Sequence, residues 1–502
     1  MKRILKRLSV IHPFLLAVFP ILYVFSQNAD EISGNELVLP VVVALGGVTV
    51  LFFTLKLITR SYTKSGLVTT FVIALFYAYG AVRDSIITGA SASGRQYSVS
   101  FYLGLTWAAL TIAVLVLVTR WRRHFLATTR FLNITSVILV LISLASTGAF
   151  FLKEGGKPTP QSPAVSASPA SNLPDIYYII LDEYAREDTL KEIYNYDNSE
   201  FVTFLTDRGF YVAGGSRSNY DRTYLSLPPS LNMRYLAGEE LGNRSLQLGM
   251  IGNGEVARFL ESKGYRSIHV ASSWDFKGID KYMQVEPPGK RVFGRRVSNF
   301  VSYLVHITAL SPFASLFSDH GRTAILDAFD VLARIPERQE PTFVFAHIMS
   351  PHQPFIFDRN GNAVPMSILE VEGDVARNYR RGFLEQLLFI NRKVEELVDA
   401  ILAKSEVKPI IILQADHGPQ PVGEGATPEM TERIRLNERL NILNAYYLPG
   451  KDNSILYDGI TPVNTFRTLL NLYFGTKHER LKDESRFYTS YPDRFTVVTP
   501  QD

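Results

Sequence analysis

The sequence predicts an α-helical membrane domain of five spans followed by an exported α/β domain, whose mainly parallel sheet is covered by helices on both faces. Three observations predict this division. Residues 1–152 contain five long apolar runs, residues 153–174 are rich in Pro, Ser and Ala, and residues 175–502 alternate short apolar runs with helical patterns. Each change of composition marks a domain boundary.

The overall composition excludes several classes of protein. The 502 residues include 52 Lys or Arg, 48 Asp or Glu and no Cys. This even charge balance argues against a nucleic-acid partner, which normally requires a concentrated basic face. Without cysteine there is no disulfide framework, no thiol nucleophile and no Cys-based zinc site.

The apolar runs are each near the roughly 20 residues that cross a bilayer as a helix. The first run follows MKRILKRLS without a clear small-x-small cleavage site, so a retained span is predicted rather than a cleaved signal peptide. No run has a central charged residue, which argues against a transporter. The runs cover residues 11–26, 37–58, 66–82, 101–119 and 131–152.

Loop charges predict the orientation of the spans. Positive residues concentrate at the N-terminus and in the second and fourth loops, whereas the first loop has no Lys or Arg. Because positively charged loops stay in the cytoplasm, the N-terminus is predicted inside and, after five crossings, residues 175–502 outside. A retained multi-span anchor with this bias fits a bacterial plasma membrane. The third loop has only Arg83 and Arg95, whereas the N-terminus and the second and fourth loops carry Lys2, Arg3, Lys6, Arg7, Lys56, Arg60, Lys64, Arg120, Arg122, Arg123 and Arg130.

The predicted linker, residues 153–174, holds five prolines among Ser, Ala and Gly. Such a composition does not bury a core and favours an extended, semi-stiff tether. The alternative is a loop within one domain, but the composition changes on both sides of the segment.

The exported part contains continuous apolar runs of strand length, which are typical of a sheet buried on both faces. Helical spacing of apolar residues lies between them, in 198–209 and 376–404. In such α/β sheets, ligands bind beyond the carboxyl ends of the strands. The predicted strands are DIYYIIL at 175–181, YRSIHVA at 265–271, TFVFAHI at 342–348, PIIILQA at 409–415 and ILNAYYL at 442–448.

Three of these strand ends carry carboxylates or imidazoles. The first leads into Asp182 and Glu183, another into His347 and His352, and a third into Asp416, His417 and Gly418. Asp and His side chains gathered at one sheet edge predict a site for one divalent ion, zinc or manganese. A single Asp after a strand is more often a helix cap. Glu183, on the opposite strand face, is predicted to support a ligand or cap a helix, and His347 is either part of the site or a core histidine.

A nucleophile must be Ser or Thr, since cysteine is absent. Thr223 lies in NYDRTYLSLPPSLNM at 219–233, where a polar segment leads into an apolar one and predicts a helix start. A hydroxyl there gains from the helix dipole and from a nearby metal, both of which favour its alkoxide. The alternative is an ordinary N-cap threonine.

These residues together resemble the alkaline phosphatase and sulfatase superfamily. More narrowly, they resemble its membrane-anchored transferases, the lipoteichoic acid synthases and the lipid A phosphoethanolamine transferases. The resemblance extends over nearly the whole chain, because those enzymes also have five spans, a linker and an extracytoplasmic α/β domain. The matching positions are Asp182 for an acidic metal ligand; Thr223, Ser226 and Pro228 for Thr-x-x-Ser-x-Pro; His352 and Pro354 for His-x-Pro; and Asp416, His417 and Gly418 for Asp-His-Gly.

Several features depart from the family patterns. Asp182 corresponds to Glu in both transferase groups and to Asp in phosphatases and sulfatases. The chain lacks the cysteines of phosphoethanolamine transferases and the histidine that follows their Asp-His-Gly. These differences count against a second metal and against a phosphoethanolamine substrate. Ser226 and Pro228 are not followed by the arginine of the sulfatase motif.

The resemblance implies a metal held by Asp182, Thr223, Asp416 and His417, with Thr223 as nucleophile and His352 binding a phosphoryl oxygen or protonating a leaving group. The implied activity is transfer of a phospho-alcohol group from a membrane lipid donor to an envelope glycan or lipid. Two alternatives stay open. One is a phosphatase, phosphodiesterase or sulfatase, for which Ser226 could be the nucleophile, and the other is a non-catalytic envelope protein that retains the fold.

Overall fold

The computed structural model groups the chain into two compact units. One comprises Met1–Gln161 with Arg291–Ser318, and the other comprises Ser162–Lys290 with Asp319–Asp502. Most of the predicted linker and the positive residues before residue 10 lie outside the described residues, as do Arg122 and Arg123. The described residues are 10–29, 32, 34–89, 96–121, 125–154, 173–272, 279, 283–286, 291–292, 295–296, 299–313, 321–364, 375–420, 435–490 and 494–498.

The first unit is a bundle of helices that coincide with the five predicted apolar runs. Four of them are long and apolar enough to cross a membrane, whereas the first is an apolar helix of 16 residues. The first helix is therefore shorter than the usual span, and the five-span topology stays a prediction. The helices are α1 (His12–Gln27), α2 (Val38–Thr59), α3 (Tyr62–Gly89), α4 (Gln96–Arg120) and α5 (Leu126–Glu154).

Polar contacts fix the direction of α1 within the bundle. The backbone amides of Ile11 and His12 both donate to Asn133 Oδ1 near the start of α5, at 3.1 and 3.0 Å. Five residues further along α1, the Tyr77 hydroxyl of α3 donates to the Ala17 carbonyl at 2.7 Å. His12 contacts Thr70, earlier in α3. Helix α1 therefore runs parallel to α3 as an integral part of the bundle.

Basic residues of several helices lie together in this bundle. At one end, Lys64 Nζ donates to the carbonyls of Thr119 and Trp121 at 2.9 and 2.8 Å, which places the start of α3 beside the end of α4. Because Ser65 Oγ donates to the Phe52 carbonyl at 2.7 Å, the end of α2 lies there too. This end therefore gathers cationic residues of three helices: Lys56, Arg60, Lys64 and Arg120.

The opposite end holds a segment from much later in the sequence. Helix α11 (Asn299–His306) buries Phe300 and Leu304 in an apolar cluster with Ile21, Phe25 and Ala29 of the first helix and the residues after it. The Ala309 amide donates to the Phe76 carbonyl of α3 at 2.9 Å. Residues 299–313 therefore belong to the helical unit, although the sequence places them within the predicted exported domain.

The second unit is built on a seven-stranded mixed sheet, which consists of β1 (Ile176–Leu181), β2 (Tyr211–Val212), β3 (Arg266–Ala271), β4 (Gln284–Glu286), β7 (Thr342–Ile348), β8 (Ile410–Gln414) and β9 (Asn444–Tyr447). The order of the strands in the sheet is β2-β9-β8-β1-β7-β3-β4. Strand β1 pairs in parallel with β7 and β8, and β3 pairs in parallel with β7 and β4. The predicted strand at 442–448 is β9, which pairs antiparallel with both β8 and β2. A separate two-stranded pair in this unit is β10 (Ser485–Ser490) with β11 (Arg494–Val498), and another, β5 (Arg291–Val292) with β6 (Arg295–Arg296), lies in the first unit.

Helices cover both faces of the large sheet, which explains why its strands are continuously apolar. Alternate residues of β1 enter different cores: Ile179 packs with one set of helices and Tyr178 with another. Side chains alternate across a strand, so both sets must be apolar. The helices on the Ile179 face include α12 (Arg322–Leu332) and α13 (Val375–Lys404), and those on the Tyr178 face include α8 (Thr223–Asn232), α9 (Arg244–Gly252), α10 (Glu255–Ser262) and α14 (Pro462–Phe474). In the described part of this unit, α6 (Glu187–Tyr194) and α7 (Ser199–Asp207) also pack on the Ile179 face.

Candidate metal centre and its pocket

The parallel pairing of β1 with β8 brings three predicted ligands together. Ile180 is in register with Gln414, so Asp182 and Asp416 follow the two strands at the same edge of the sheet. Asp182, Asp416 and His417 are 1–2% exposed. One potential ligand atom from each lies within 4.8 Å of the others.

The ring of His417 is oriented for ligation. Its Nδ1 lies 3.1 Å from the Gly418 carbonyl oxygen, which identifies Nδ1 as the protonated nitrogen. Its Nε2 lies 3.4 Å from Asp416 Oδ2 and 4.0 Å from Asp182 Oδ1. Burial, reinforced by Arg439, lowers the pKa of His417, so the imidazole is neutral with its Nε2 lone pair toward the carboxylates.

The two carboxylates leave oxygens that protein groups do not satisfy. Among the described residues, buried Asp182 Oδ1 and Asp416 Oδ2 accept no hydrogen bond. Burial and the charge of Asp182 raise the pKa of Asp416, whereas the pKa of Asp182 is lowered overall, because His352 and His347 outweigh its burial. Two buried carboxylates side by side are unfavourable without a compensating cation. The group therefore fits a metal ion with oxygen and nitrogen ligands.

Thr223 lies beside this group at the first residue of α8. Its Oγ1 is 3.2 Å from His417 Nε2. The N-cap position belongs to Arg222, which is extended and makes no side-chain cap, so the N-cap interpretation of Thr223 does not describe this helix. The start of a helix favours a developing negative charge on the threonine oxygen.

Ser226 is placed differently from Thr223. It is buried, and its Oγ donates to the Tyr220 carbonyl at 2.6 Å. Its hydroxyl is therefore engaged by the backbone, and Ser226 does not line the pocket described below. This geometry disfavours Ser226 as a nucleophile.

Glu183 has a supporting position next to Asp182. Its backbone is left-handed, with φ of +65°. Its carboxylate accepts from Arg439 Nη1 at 2.6 Å and from the Tyr379 hydroxyl at 3.0 Å. Both carboxylate oxygens are thus occupied by protein groups, whereas Asp182 and Asp416 each keep one oxygen without a donor among the described residues.

The two predicted histidines occupy different environments. His347 is buried, with Nε2 3.3 Å from Asp182 Oδ2, so it supports that carboxylate from within the core. His352 lines the pocket, and its Nε2 is 3.7 Å from Glu183 Oε1. Burial would lower the pKa of His352, but Asp182 and Glu183 raise it overall, which favours an imidazolium facing the site. Gln386 fixes this turn by donating to the His352 carbonyl at 2.8 Å.

Gly418 allows the chain to close tightly behind the site. A Cβ on this residue would lie 2.0 Å from the Glu438 carbonyl oxygen. The Gly418 amide donates to the Arg439 carbonyl at 2.7 Å. Glycine at the third position of Asp-His-Gly therefore permits the approach of the segment that carries Arg439.

The site opens into a pocket of about 680 Å³ whose lining is rich in arginine. Sequence reasoning missed these arginines and Tyr379, which come from segments far apart in the chain. The one available signal is Arg439, a charged residue three positions before the predicted strand at 442–448. The lining residues are Asp182, Glu183, Asp221, Arg222, Thr223, Tyr224, Arg244, Met349, His352, His417, Gln420, Arg435, Arg439 and Phe487.

Comparison with known proteins gives matches among solved structures. No protein-family model and no curated protein matches the chain. The chain is similar to phosphoethanolamine transferase and phosphonate hydrolase structures. The integral membrane lipooligosaccharide phosphoethanolamine transferase A of Neisseria meningitidis is 13% identical, with 91% of this chain and 94% of that chain covered and a TM-score of 0.40.

Two further solved structures match about two thirds of the chain. The C-terminal periplasmic domain of EcEptC from Escherichia coli is 11% identical over 66% of this chain and 94% of that chain, with a TM-score of 0.43. The phosphonate monoester hydrolase of Agrobacterium radiobacter is 11% identical over 63% of this chain and 80% of that chain, with a TM-score of 0.37.

Proposed function

We propose that the chain is a membrane-anchored, metal-dependent transferase that moves a phospho-alcohol group from a lipid donor to an envelope glycan or lipid. One observation carries the proposal. A threonine hydroxyl at a helix start lies 3.2 Å from a neutral histidine nitrogen, beside two buried carboxylates with unsatisfied oxygens. This arrangement suits an activated hydroxyl nucleophile rather than a structural hydrogen bond.

Asp182, Asp416 and His417 would hold one divalent ion, zinc or manganese, with Thr223 Oγ1 as a further ligand. When bound, such an ion lowers the pKa of a neighbouring hydroxyl and polarises a phosphoryl oxygen. The dipole of α8 favours the same negative charge on Thr223.

The reaction then has two displacements at phosphorus. Thr223 Oγ1, already deprotonated as the alkoxide, forms a bond to phosphorus while the bond to the lipid alcohol breaks, and the alcohol leaves with a proton that His352 can donate. The hydroxyl of the acceptor next attacks the phosphothreonine and returns its proton to His352. The Thr223–phosphorus bond breaks, which regenerates the enzyme.

The membrane unit would anchor this chemistry at the bacterial plasma membrane. The cationic end of the bundle is proposed to face the cytoplasm and the end that holds residues 299–313 to face outward. That orientation agrees with export of the site on residues 175–502, joined to the spans by the linker 153–174. A reporter that is active only after export, fused within the linker, should be active; activity of a cytoplasm-only reporter there would contradict the orientation.

The covalent intermediate provides the decisive test. Full-length protein in detergent is mixed briefly with labelled phosphatidylethanolamine or phosphatidylglycerol, and its peptides are mapped by mass. We expect a phospho-alcohol adduct on the peptide that contains Thr223, absent in Thr223→Ala and kept in the matched control Ser226→Ala. An adduct that survives Thr223→Ala would overturn the mechanism.

A hydrolase is the second candidate, and two observations favour it. Asp182 is the residue type found in the phosphatases and sulfatases that the sequence resembles, and His352 is partly open to solvent, which gives water access. Product analysis separates the candidates. A transferase gives labelled acceptor when an envelope glycan or lipid is supplied, whereas a hydrolase releases the labelled phospho-alcohol into water at the same rate with or without acceptor.

A further inference from the structure

Arg439 is fixed at the edge of the candidate metal group by several contacts. Its Nε donates to the Asp221 carbonyl at 2.8 Å, and its Nη1 donates to the Gly418 carbonyl at 2.8 Å and to Glu183 Oε1 at 2.6 Å. A guanidinium held at two nitrogens has little freedom to rotate. The side chain is largely buried yet lines the pocket.

The remaining nitrogen of Arg439 points into the site. Among the described residues, Nη2 makes one contact, at 3.4 Å to His417 Nε2, the lone pair that a metal would take. Burial alone would lower the pKa of Arg439, but Glu183 raises it overall, so the group keeps its charge. Arginine therefore places a permanent cation next to the candidate metal position.

Glu183 is built to hold this cation rather than a metal. Its second oxygen accepts from the Tyr379 hydroxyl, which in turn accepts from the Gln420 amide at 3.1 Å. Consecutive acidic residues thus have separate tasks: Asp182 faces the metal group and Glu183 anchors Arg439.

We propose that Arg439 forms an oxyanion subsite that binds a non-bridging oxygen of the tetrahedral phosphoryl group, with Glu183 as its positioning residue. The inference rests on the proposed function. Guanidinium N–H groups make short, charge-assisted hydrogen bonds to phosphoryl oxygens. A fixed donor of this kind stabilises the charge that develops during displacement, and it needs no second metal to do so.

The test compares Arg439→Ala and Arg439→Lys with the control Arg234→Ala in metal-loaded, full-length protein. Arg234 is also paired with a glutamate, Glu240, but does not line the pocket. Metal content and the Kd of inorganic phosphate are measured. We expect Arg439→Ala to keep its metal and to bind phosphate at least about tenfold more weakly, with Arg439→Lys intermediate and Arg234→Ala unchanged. Added guanidinium should restore part of the phosphate affinity of Arg439→Ala.

Two results would overturn the subsite. Wild-type phosphate affinity in Arg439→Ala would show that Arg439 does not bind the anion, and loss of metal would make it a support of the metal group. If Arg439→Ala fails to fold because Glu183 is left unpaired, the double variant Glu183→Gln/Arg439→Gln removes both charges, and the same two measurements apply.

Glu183→Gln tests the positioning role. It should keep the metal, raise the Kd for phosphate and lower kcat, whereas loss of metal would identify Glu183 as a ligand and contradict its assignment.

The proposed function fails separately, if metal-loaded wild type binds no phosphate and forms no adduct on Thr223. An adduct in wild type with unchanged phosphate binding in Arg439→Ala would remove only the subsite.

Discussion

Two groups of buried polar residues lie on the same sheet and differ in how well their atoms are paired. In one, the Tyr178 hydroxyl donates to Gln414 Oε1 at 2.7 Å and contacts Ser230 at 2.7 Å, while the Gln414 amide donates to Asn444 and Thr465 at 3.0 and 3.1 Å. In the other, two residues beyond Gln414, Asp416 and its neighbour Asp182 keep oxygens without donors.

Gln414 and Asp416 are two residues apart, yet Gln414 belongs to a group with a structural role and Asp416 belongs to the candidate metal group. A paired network of neutral groups stabilises one packing of the core, since each buried donor and acceptor has its partner. Unpaired buried carboxylates destabilise the fold unless a ligand completes them. A bound ligand would stabilise a site of this kind. Substitutions in the carboxylate group should therefore remove the metal, whereas substitutions in the paired network should lower the stability of the fold and keep the metal.

The largest effect is expected at Asp416. Asp416→Asn keeps the shape of the side chain but removes the charge and one ligand oxygen, so bound metal should fall to background and turnover should fall on the order of a thousandfold or more. Metal analysis of the purified full-length protein and initial rates check this. Equal metal content in wild type and variant would place the ion elsewhere.

The next largest effect is expected on the thermal stability of wild type and Asp416→Asn when the metal is removed. A ligand that binds only the folded state contributes about 4 kcal/mol at a thousandfold excess over its Kd. Chelation should therefore lower the Tm of wild type and leave that of Asp416→Asn unchanged. In chelator, the variant should be at least as stable as wild type, because one of two facing buried charges is gone. A chelator effect of the same size on both proteins would count against the site.

Tyr178→Phe should show the reverse signature. It leaves Gln414 Oε1 without its donor in the core, which costs about 1–3 kcal/mol of unfolding free energy. Metal content and the Thr223 adduct should be kept, since the network is satisfied without the ion. Denaturant unfolding with parallel metal analysis measures both quantities. Loss of metal in Tyr178→Phe would mean that the two groups act as one.

The smallest expected effect is on the pH dependence of metal affinity. Because the pKa of Asp416 is raised in the metal-free protein, a proton must leave before the oxygen can ligate. Affinity should rise as pH rises, by at most about tenfold per pH unit for this one proton. The same raised pKa stabilises the metal-free fold at pH values below the unfolded-state pKa of Asp416. This contribution to the stability of the metal-free protein should be lost as the pH rises to the folded-state pKa of about 7. Asp416→Asn should abolish this slope; an unchanged slope would assign the proton to another group.

The strand-end residues could be predicted because one local pattern places them. A continuous apolar run that ends in Asp or Asp-His predicts both a buried strand and a side chain at the carboxyl edge, and parallel pairing brings Asp182 to Asp416. The Thr223 motif likewise lies at a helix start. In the structure, Glu183 accepts hydrogen bonds from Arg439 and Tyr379, and His347 contacts Asp182 from the buried core. The sequence alone leaves the roles of both residues open.

Other features depend on contacts that no local pattern encodes. Arg439 and Tyr379 reach Glu183 from distant segments, and a single arginine or tyrosine carries no spacing signal. An apolar run does not specify strand direction, so the antiparallel pairing of β9 was not predicted. Phe300 and Leu304 resemble an ordinary core pair in a short helix, and only packing shows that they join the first unit.

Residues 299–313 also determine which form of the protein can be handled in water. A fragment that begins at residue 175 would carry Phe300 and Leu304 without Ile21, Phe25 and Ala29, their packing partners. Every Å² of these apolar side chains that is returned to solvent would cost about 25 cal/mol of free energy. The exposed apolar surface would also promote self-association. Purification for enzymology should therefore retain the N-terminal helices in a detergent micelle or nanodisc, or replace the apolar residues of this segment with polar ones.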